Sequence, residues 1–148
     1  MAGGDYFCAA LISTHNAEKP AGCLMKLLIV EENPEMRHLL KQLVSDLAEV
    51  IVECGDVEQA VTTYAVEQPD WTLMDLQFEG LGGLEATRRI RAASPHARIL
   101  IVTEYDDQHW RAAARRAGAC GYVLKDDLLE VRRRLQGPDE EPGQREQG

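Results

Sequence analysis

The chain is short of positive charge. Sixteen Lys and Arg stand against twenty-five Asp and Glu in 148 residues, a net charge of −9. That balance excludes an extended nucleic-acid surface and fits an acidic, water-soluble protein. Long apolar runs are missing too, since none approaches the ~20 residues that span a bilayer. The first ten residues show neither the basic n-region nor the h-region of a secretory leader. The four cysteines (Cys8, Cys23, Cys54, Cys120) form no C-x-x-C, and the four His are scattered. A zinc site is therefore not assigned, and the cysteines read as small buried thiols of a reducing cytoplasm. No internal repeat is present.

What remains is a regular alternation. Residues 1–24 carry no sustained period and read as a disordered extension, with Met25 a candidate natural start. Lys26-Leu-Leu-Ile-Val30 is an apolar run without alternation, as expected of a central parallel strand. Asn33-Pro34 then opens a helix over 34–47, with Met36, Leu39, Leu40, Leu43, Val44 and Leu47 on one side. A strand over 50–54 and a helix over 57–67, capped by Asp56, follow. Trp71-Thr-Leu-Met-Asp75 is the third strand, ending in a carboxylate before a glycine-rich loop over 76–83. Helix 84–93 presents Arg88, Arg89 and Arg91 to water. Strand 98–103, helix 108–117, strand 121–125 and a last helix to about 136, capped by Asp126 or Asp127, complete the pattern. The tail over 137–148 reads as disordered. The expected fold is α/β: a (βα)5, doubly wound, parallel five-stranded sheet of flavodoxin-like order 2-1-3-4-5. The domain is expected over 25–136.

The strand ends carry the chemistry. Glu31 and Glu32 follow the first strand, Asp75 ends the third, Thr103 the fourth and Lys125 the fifth. A parallel sheet puts all of these on one edge, where open α/β sheets keep their sites. Three carboxylates together repel one another and need a cation, and hard oxygen donors suit Mg²⁺. Asp75 can then attack phosphorus, giving an aspartyl phosphate. Lys125, Thr103 and the loop amides after Asp75 and Thr103 are donors for the phosphoryl oxygens.

Four segments together resemble the response-regulator receiver domain of two-component signalling. They are Leu-Leu-Ile-Val-Glu-Glu-Asn-Pro from Leu27, Pro69-Asp-Trp-Thr-Leu-Met-Asp-Leu-Gln77 with Gly83-Leu-Glu-Ala-Thr87, Ala97–Thr103, and Ala117-Gly-Ala-Cys-Gly-Tyr-Val-Leu-Lys-Asp126. The resemblance covers residues 26–135. It implies Asp75 as phosphoacceptor, with Thr103 and Lys125 as its partners in the chemistry. It implies Glu31, Glu32, Asp75 and Gln77 as Mg²⁺ ligands, and Gln77, Thr103, Glu104 and Lys125 around the phosphoryl group. Thr103 and Tyr122 are the implied switch pair. The Gly-Tyr-Val-Leu-Lys-Asp spelling is closest to receivers that precede a helix-turn-helix DNA-binding domain. A signalling module is implied, not an enzyme beyond its own phosphorylation and dephosphorylation. The implied partners are a sensor histidine kinase or phosphotransfer protein, and a downstream protein or a missing output domain. A homodimer through helix 4, strand 5 and helix 5 is left open, and neither nucleic acid nor membrane is expected on this chain itself.

The sequence also departs from the family. Glu32 stands where Asp is usual, Phe78-Glu79 where Met-Pro is usual, Glu104 where a small residue is usual, and Asp126 where Pro is usual. These departures support an alternative, a pseudo-receiver that binds proteins without being phosphorylated. Retention of Asp75, Thr103 and Lys125 argues against it. A flavodoxin-like cofactor binder is weaker still, because no G-x-G-x-x-G follows the first strand and the loop there is acidic.

Overall fold

The computed structural model describes residues 25–76 and 81–137. The expected extension over 1–24, Cys8, Cys23, positions 77–80 and the tail from 138 lie outside the described residues. The strands are β1 (Met25–Val30), β2 (Ala48–Cys54), β3 (Trp71–Met74), β4 (Ile99–Thr103) and β5 (Gly121–Leu124). The helices are α1 (Pro34–Val44), α2 (Val57–Glu67), α3 (Leu81–Ala93), α4 (Gln108–Ala117) and α5 (Leu129–Gln136). The five strands form one sheet in the order β2-β1-β3-β4-β5, and every neighbouring pair is parallel.

Strand residues divide by their two-residue period. Leu28, Val30, Met74, Ile99 and Ile101 pack with Val57, Ala60 and Tyr64 of α2, Ile90 of α3 and Ala114 of α4. Leu27, Ile29, Leu73, Leu100 and Val102 pack with Leu40 and Val44 of α1 and Val131 and Leu135 of α5. The continuous apolar spelling of β1 and β4 follows, because both faces of the sheet are covered.

Several element ends differ from the sequence expectation. α1 stops at Val44, where a tight turn bonds Leu47 N to Val44 O at 2.9 Å and Ala48 already pairs with Met25 across a register shift. Leu47 still packs on the α1–α5 side, so its spacing reads the same in a helix or a turn. Asn33 and Asp56 cap α1 and α2 through their side chains, as expected. Asp126 and Asp127 do not cap α5, which begins without a side-chain cap. Asp127 supports it through its backbone instead, its carbonyl accepting from Glu130 N at 3.0 Å. Arg91 does not face open water. Its guanidinium folds back to donate to the Pro95 and Ala97 carbonyls and lies against Gly118.

α3 begins at Leu81, ahead of the expected 84, and takes two glycines into its first turn. The reason is a close approach. A Cβ on Gly83 would lie 2.3 Å from the Asp75 carbonyl oxygen and 2.9 Å from Leu76 Cα. The helix therefore rests directly on the backbone of Asp75, and Thr87 Oγ1 holds the Gly83 carbonyl at 2.8 Å. Gly83→Ala is expected to destabilise the fold by about 2 kcal/mol, since backbone must move to admit the methyl group. Urea denaturation reads this directly, and an unchanged midpoint would show that α3 can lift away freely.

Candidate functional site

The ladder carries the strand ends to a common edge. Glu31 N donates to Cys54 O at 3.0 Å, Asp75 N to Val30 O at 3.0 Å, and Lys125 N to Thr103 O at 2.8 Å. Glu31, Asp75 and Lys125 are thus anchored by backbone bonds just beyond β1, β3 and β5. Lys125 reaches across β4's end to the other two. Its Nζ lies 3.1 Å from Glu31 Oε1 and 3.1 Å from Asp75 Oδ1. Both carboxylates are buried, Glu31 at 2% exposure and Asp75 at 7%.

Two anions therefore share one cation in a place with little water. Burial raises the Glu31 pKa and the Asp75 charge raises it further, while Lys125 and the Asn33 amide pull it down. Burial works against the Lys125 ammonium, but the charges of Asp75 and Glu31 outweigh it, and the Lys125 pKa is raised. Glu31 Oε2 accepts from Asn33 N at 3.1 Å. Oε1 makes no directed hydrogen bond even though the ammonium is within ion-pair range. We read that contact as one of charge, its geometry being off the direction a hydrogen bond requires.

Buried anionic oxygens in excess of cations, one of them without a hydrogen bond, fit a hard divalent cation such as Mg²⁺. The set is not complete as it stands. Glu32 is exposed, and Gln77 lies outside the described residues. Among the described residues, no three His, Cys, Asp or Glu side chains converge on one point.

Thr103 and Tyr122, the pair the resemblance implies as a switch, meet through a third residue. Thr103 is fully buried, and its Oγ1 accepts from Tyr105 N at 3.2 Å. Tyr122 Oη donates to the Tyr105 carbonyl at 2.6 Å. The Tyr105 ring stacks on Trp110, with centroids 5.7 Å apart. The Arg111 guanidinium covers the Tyr122 ring at 4.7 Å and is held by Asp106 at 3.3 Å. Burial pushes the Tyr122 phenol up to about 12, with Arg111 opposing. Glu104 is exposed. With Asp106, Leu124, Lys125 and Asp126 it lines an open cleft of about 280 Å³.

The structure thus joins Glu31, Asp75 and Lys125 in one network and Thr103 and Tyr122 in another, with Glu104 lining the cleft beside Lys125 and Glu32 exposed. Sequence reasoning missed Gly83, Tyr105 and Arg111. The Gly82-Gly83 pair looked like loop, and nothing in the polar 104–107 stretch marks Tyr105 as the link. Trp71 opens β3 at the opposite end from Asp75, about 13 Å away at strand rise. Trp110, stacked on Tyr105, is the tryptophan in contact with the residue that links Thr103 and Tyr122.

A five-stranded parallel sheet with carboxylates, a hydroxyl and a lysine on its carboxyl edge defines the receiver class of flavodoxin-like domains. The chain belongs to the response regulator receiver domain family, whose description matches residues 27–136. It is similar to the nitrate/nitrite response regulator protein homolog of Haemophilus influenzae, 34% identical over 120 residues, covering 76% of this chain and 58% of that protein. It is also similar to the nitrate/nitrite response regulator NarL of Escherichia coli, 32% identical, covering 71% and 51%. Among solved structures, a LuxR-family two-component response regulator from Aurantimonas superposes with TM-score 0.71 at 34% identity, covering 76% of this chain and 83% of that one. The NarL receiver domain of Mycobacterium tuberculosis superposes with TM-score 0.68 at 21% identity, covering 78% and 98%, which bears on the fold alone. The chain spans about half the length of the curated relatives it matches. It is a signalling module of the two-component class. Among the described residues, no helix is long and apolar enough to cross a membrane.

Proposed function

We propose that this receiver is switched by phosphorylation of Asp75. The observation that carries the reading is the convergence of buried Asp75 and Glu31 on Lys125 at the carboxyl edge. An Asp75 oxygen attacks phosphorus as the donor's bond to phosphorus breaks, and the electron pair leaves with the donor. That donor is the phosphohistidine of a sensor kinase or phosphotransfer protein, or a small acyl phosphate. The Lys125 ammonium, now beside Asp75 Oδ1, is in reach of the incoming phosphoryl oxygens. Glu31, Glu32, Asp75 and the Gln77 carbonyl would hold Mg²⁺, with Glu31 acting through water. The ion supplies the charge neutralisation that lets one anion approach another.

Signal transmission follows from the second network. A phosphoryl group on Asp75 draws the Thr103 hydroxyl toward it as a donor, and that movement pulls Oγ1 away from Tyr105 N, whose bond it now accepts. Loss of that bond frees the Tyr105 backbone, the acceptor for Tyr122. The surface of α4, β5 and α5 is re-aimed as two packings exchange populations. It acts on a downstream protein, on an output domain outside this sequence, or on a second copy. The setting is the cytoplasm, where sensor kinases deliver phosphate.

The test is intact mass spectrometry after incubation with acetyl phosphate and Mg²⁺, with a phosphoryl adduct expected. No adduct on the wild type, together with one on Glu104→Ala, would identify the carboxylate lining the Lys125 cleft as a block. Glu32→Asp is expected to tighten Mg²⁺ several-fold by calorimetry. The shorter side chain suits an ion strict about octahedral geometry. Weaker binding by Glu32→Asp would show that the longer arm is the one this loop needs.

A further inference from the structure

We propose that Arg37 is a positioning residue for the acidic loop after β1, acting through the backbone carbonyl of Glu31. The inference rests on the Mg²⁺ reading above. Arg37 lies on α1, makes no contact with the Glu31, Asp75 or Lys125 side chains in the network described, and would ordinarily pass as one half of a surface ion pair. Its contacts say more. Nη1 donates to the Glu31 carbonyl at 2.7 Å, while Nε pairs with Glu53 Oε1 at 3.2 Å. Lys41 Nζ holds the other oxygen of Glu53 at 2.8 Å. These contacts keep the Glu53 carboxyl below its usual range, the Lys41 hydrogen bond first. Glu53 is therefore a fixed anchor on β2, and the guanidinium spans from it to the loop.

Gly55 leaves room for that reach. A Cβ on Gly55 would lie 2.9 Å from Arg37 Nη1, and Gly55 has no left-handed backbone that would otherwise call for glycine. The planar fork of arginine serves two directions at once, which a lysine ammonium on a flexible stem does not reproduce. The Glu31 carbonyl and the Glu32 N–H belong to one rigid peptide plane. Fixing the carbonyl fixes where Glu32 leaves the loop, and hence whether its carboxylate can reach the ion beside Asp75. Mutating partners that orient ligands in this way typically costs about 10–100-fold in metal affinity.

The sign of the effect separates positioning from charge. A guanidinium near a cation site repels the cation, so removing its charge alone would tighten Mg²⁺ binding. Removing a positioning group weakens it. Calorimetric Mg²⁺ titration of Arg37→Met is expected to show roughly ten-fold weaker binding than wild type. Arg37→Lys, which keeps the charge and loses the fork, should weaken in the same direction. Gly55→Ala, which displaces the guanidinium without removing it, should do so too. Urea midpoints measured alongside should move little. Unchanged or tighter binding by Arg37→Met, with normal wild-type binding, overturns the inference alone. Absence of Mg²⁺ binding by the wild type overturns the metal reading and the inference with it. Should Arg37→Met not fold, Arg37→Lys decides: affinity equal to wild type refutes the proposal.

Discussion

Asp75→Asn is expected to take up no phosphoryl group under conditions that load the wild type. The amide keeps the size and shape of the carboxylate but lacks its nucleophilic charge, so the adduct of roughly 80 Da should vanish. The structure sharpens the expectation. Asp75 is held by the bond from its amide to Val30 O, at 3.0 Å, and by the approach of Gly83 to its carbonyl. Substitution at the side chain leaves that backbone frame in place. Glu31, the other buried carboxylate on Lys125, accepts from the Asn33 amide through Oε2. It comes from a different strand end, and attack from there would need the phosphoryl group in a different place. Intact mass and peptide mapping check both points. An adduct that persists on Asp75→Asn means that another nucleophile is used.

Lys125→Ala is expected to destabilise the metal-free domain by roughly 3 kcal/mol at neutral pH, because it leaves two buried carboxylates without their cation. The Lys125 side chain is only 14% exposed and touches both acids at 3.1 Å, which makes it a structural counter-charge in addition to the phosphate-binding role proposed above. Added Mg²⁺ should restore part of the loss if the carboxylates hold the ion. The pH dependence has a definite sign. The folded-state pKa of Glu31 is raised above 4.5, so its contribution to stability is present below that value and lost as pH rises through the folded value. Lys125 now limits that loss. The defect of Lys125→Ala should therefore be largest at neutral pH and shrink toward pH 4.5. Urea denaturation across this range, with and without Mg²⁺, reads all three effects. A defect independent of pH would mean that lost packing of the lysine stem is the cause. The raised Lys125 pKa adds a second sign. Its contribution holds below 10.5 and is lost above its folded value, so the wild type should weaken in strong alkali.

The amino-acid sequence by itself determined the order of the elements and the chemistry-bearing residues at the strand ends, though not every boundary. β1 and β4 are apolar throughout because both sheet faces are covered, and α1 shows one apolar side because only one faces the sheet. Local chemistry put Asn33 and Asp56 at helix starts, where each caps free amides. Given a parallel sheet, the strand ends had to share an edge, so Glu31, Asp75, Thr103 and Lys125 were legible as a group. Distances across that edge were not. That Lys125 bridges Glu31 and Asp75 depends on parallel register across β1, β3, β4 and β5. That Tyr105 joins Thr103 to Tyr122 depends on how the loop after β4 folds over β5. The contact of Gly83 with Asp75, and that of Arg37 with the Glu31 carbonyl, depend on how closely a helix approaches a backbone it is not bonded to. Local sequence windows carry periodicity and capping, which act within a few residues. Tertiary packing sets the separations between chain segments tens of residues apart, and over those separations charge and hydrogen bonding decide what the site can do.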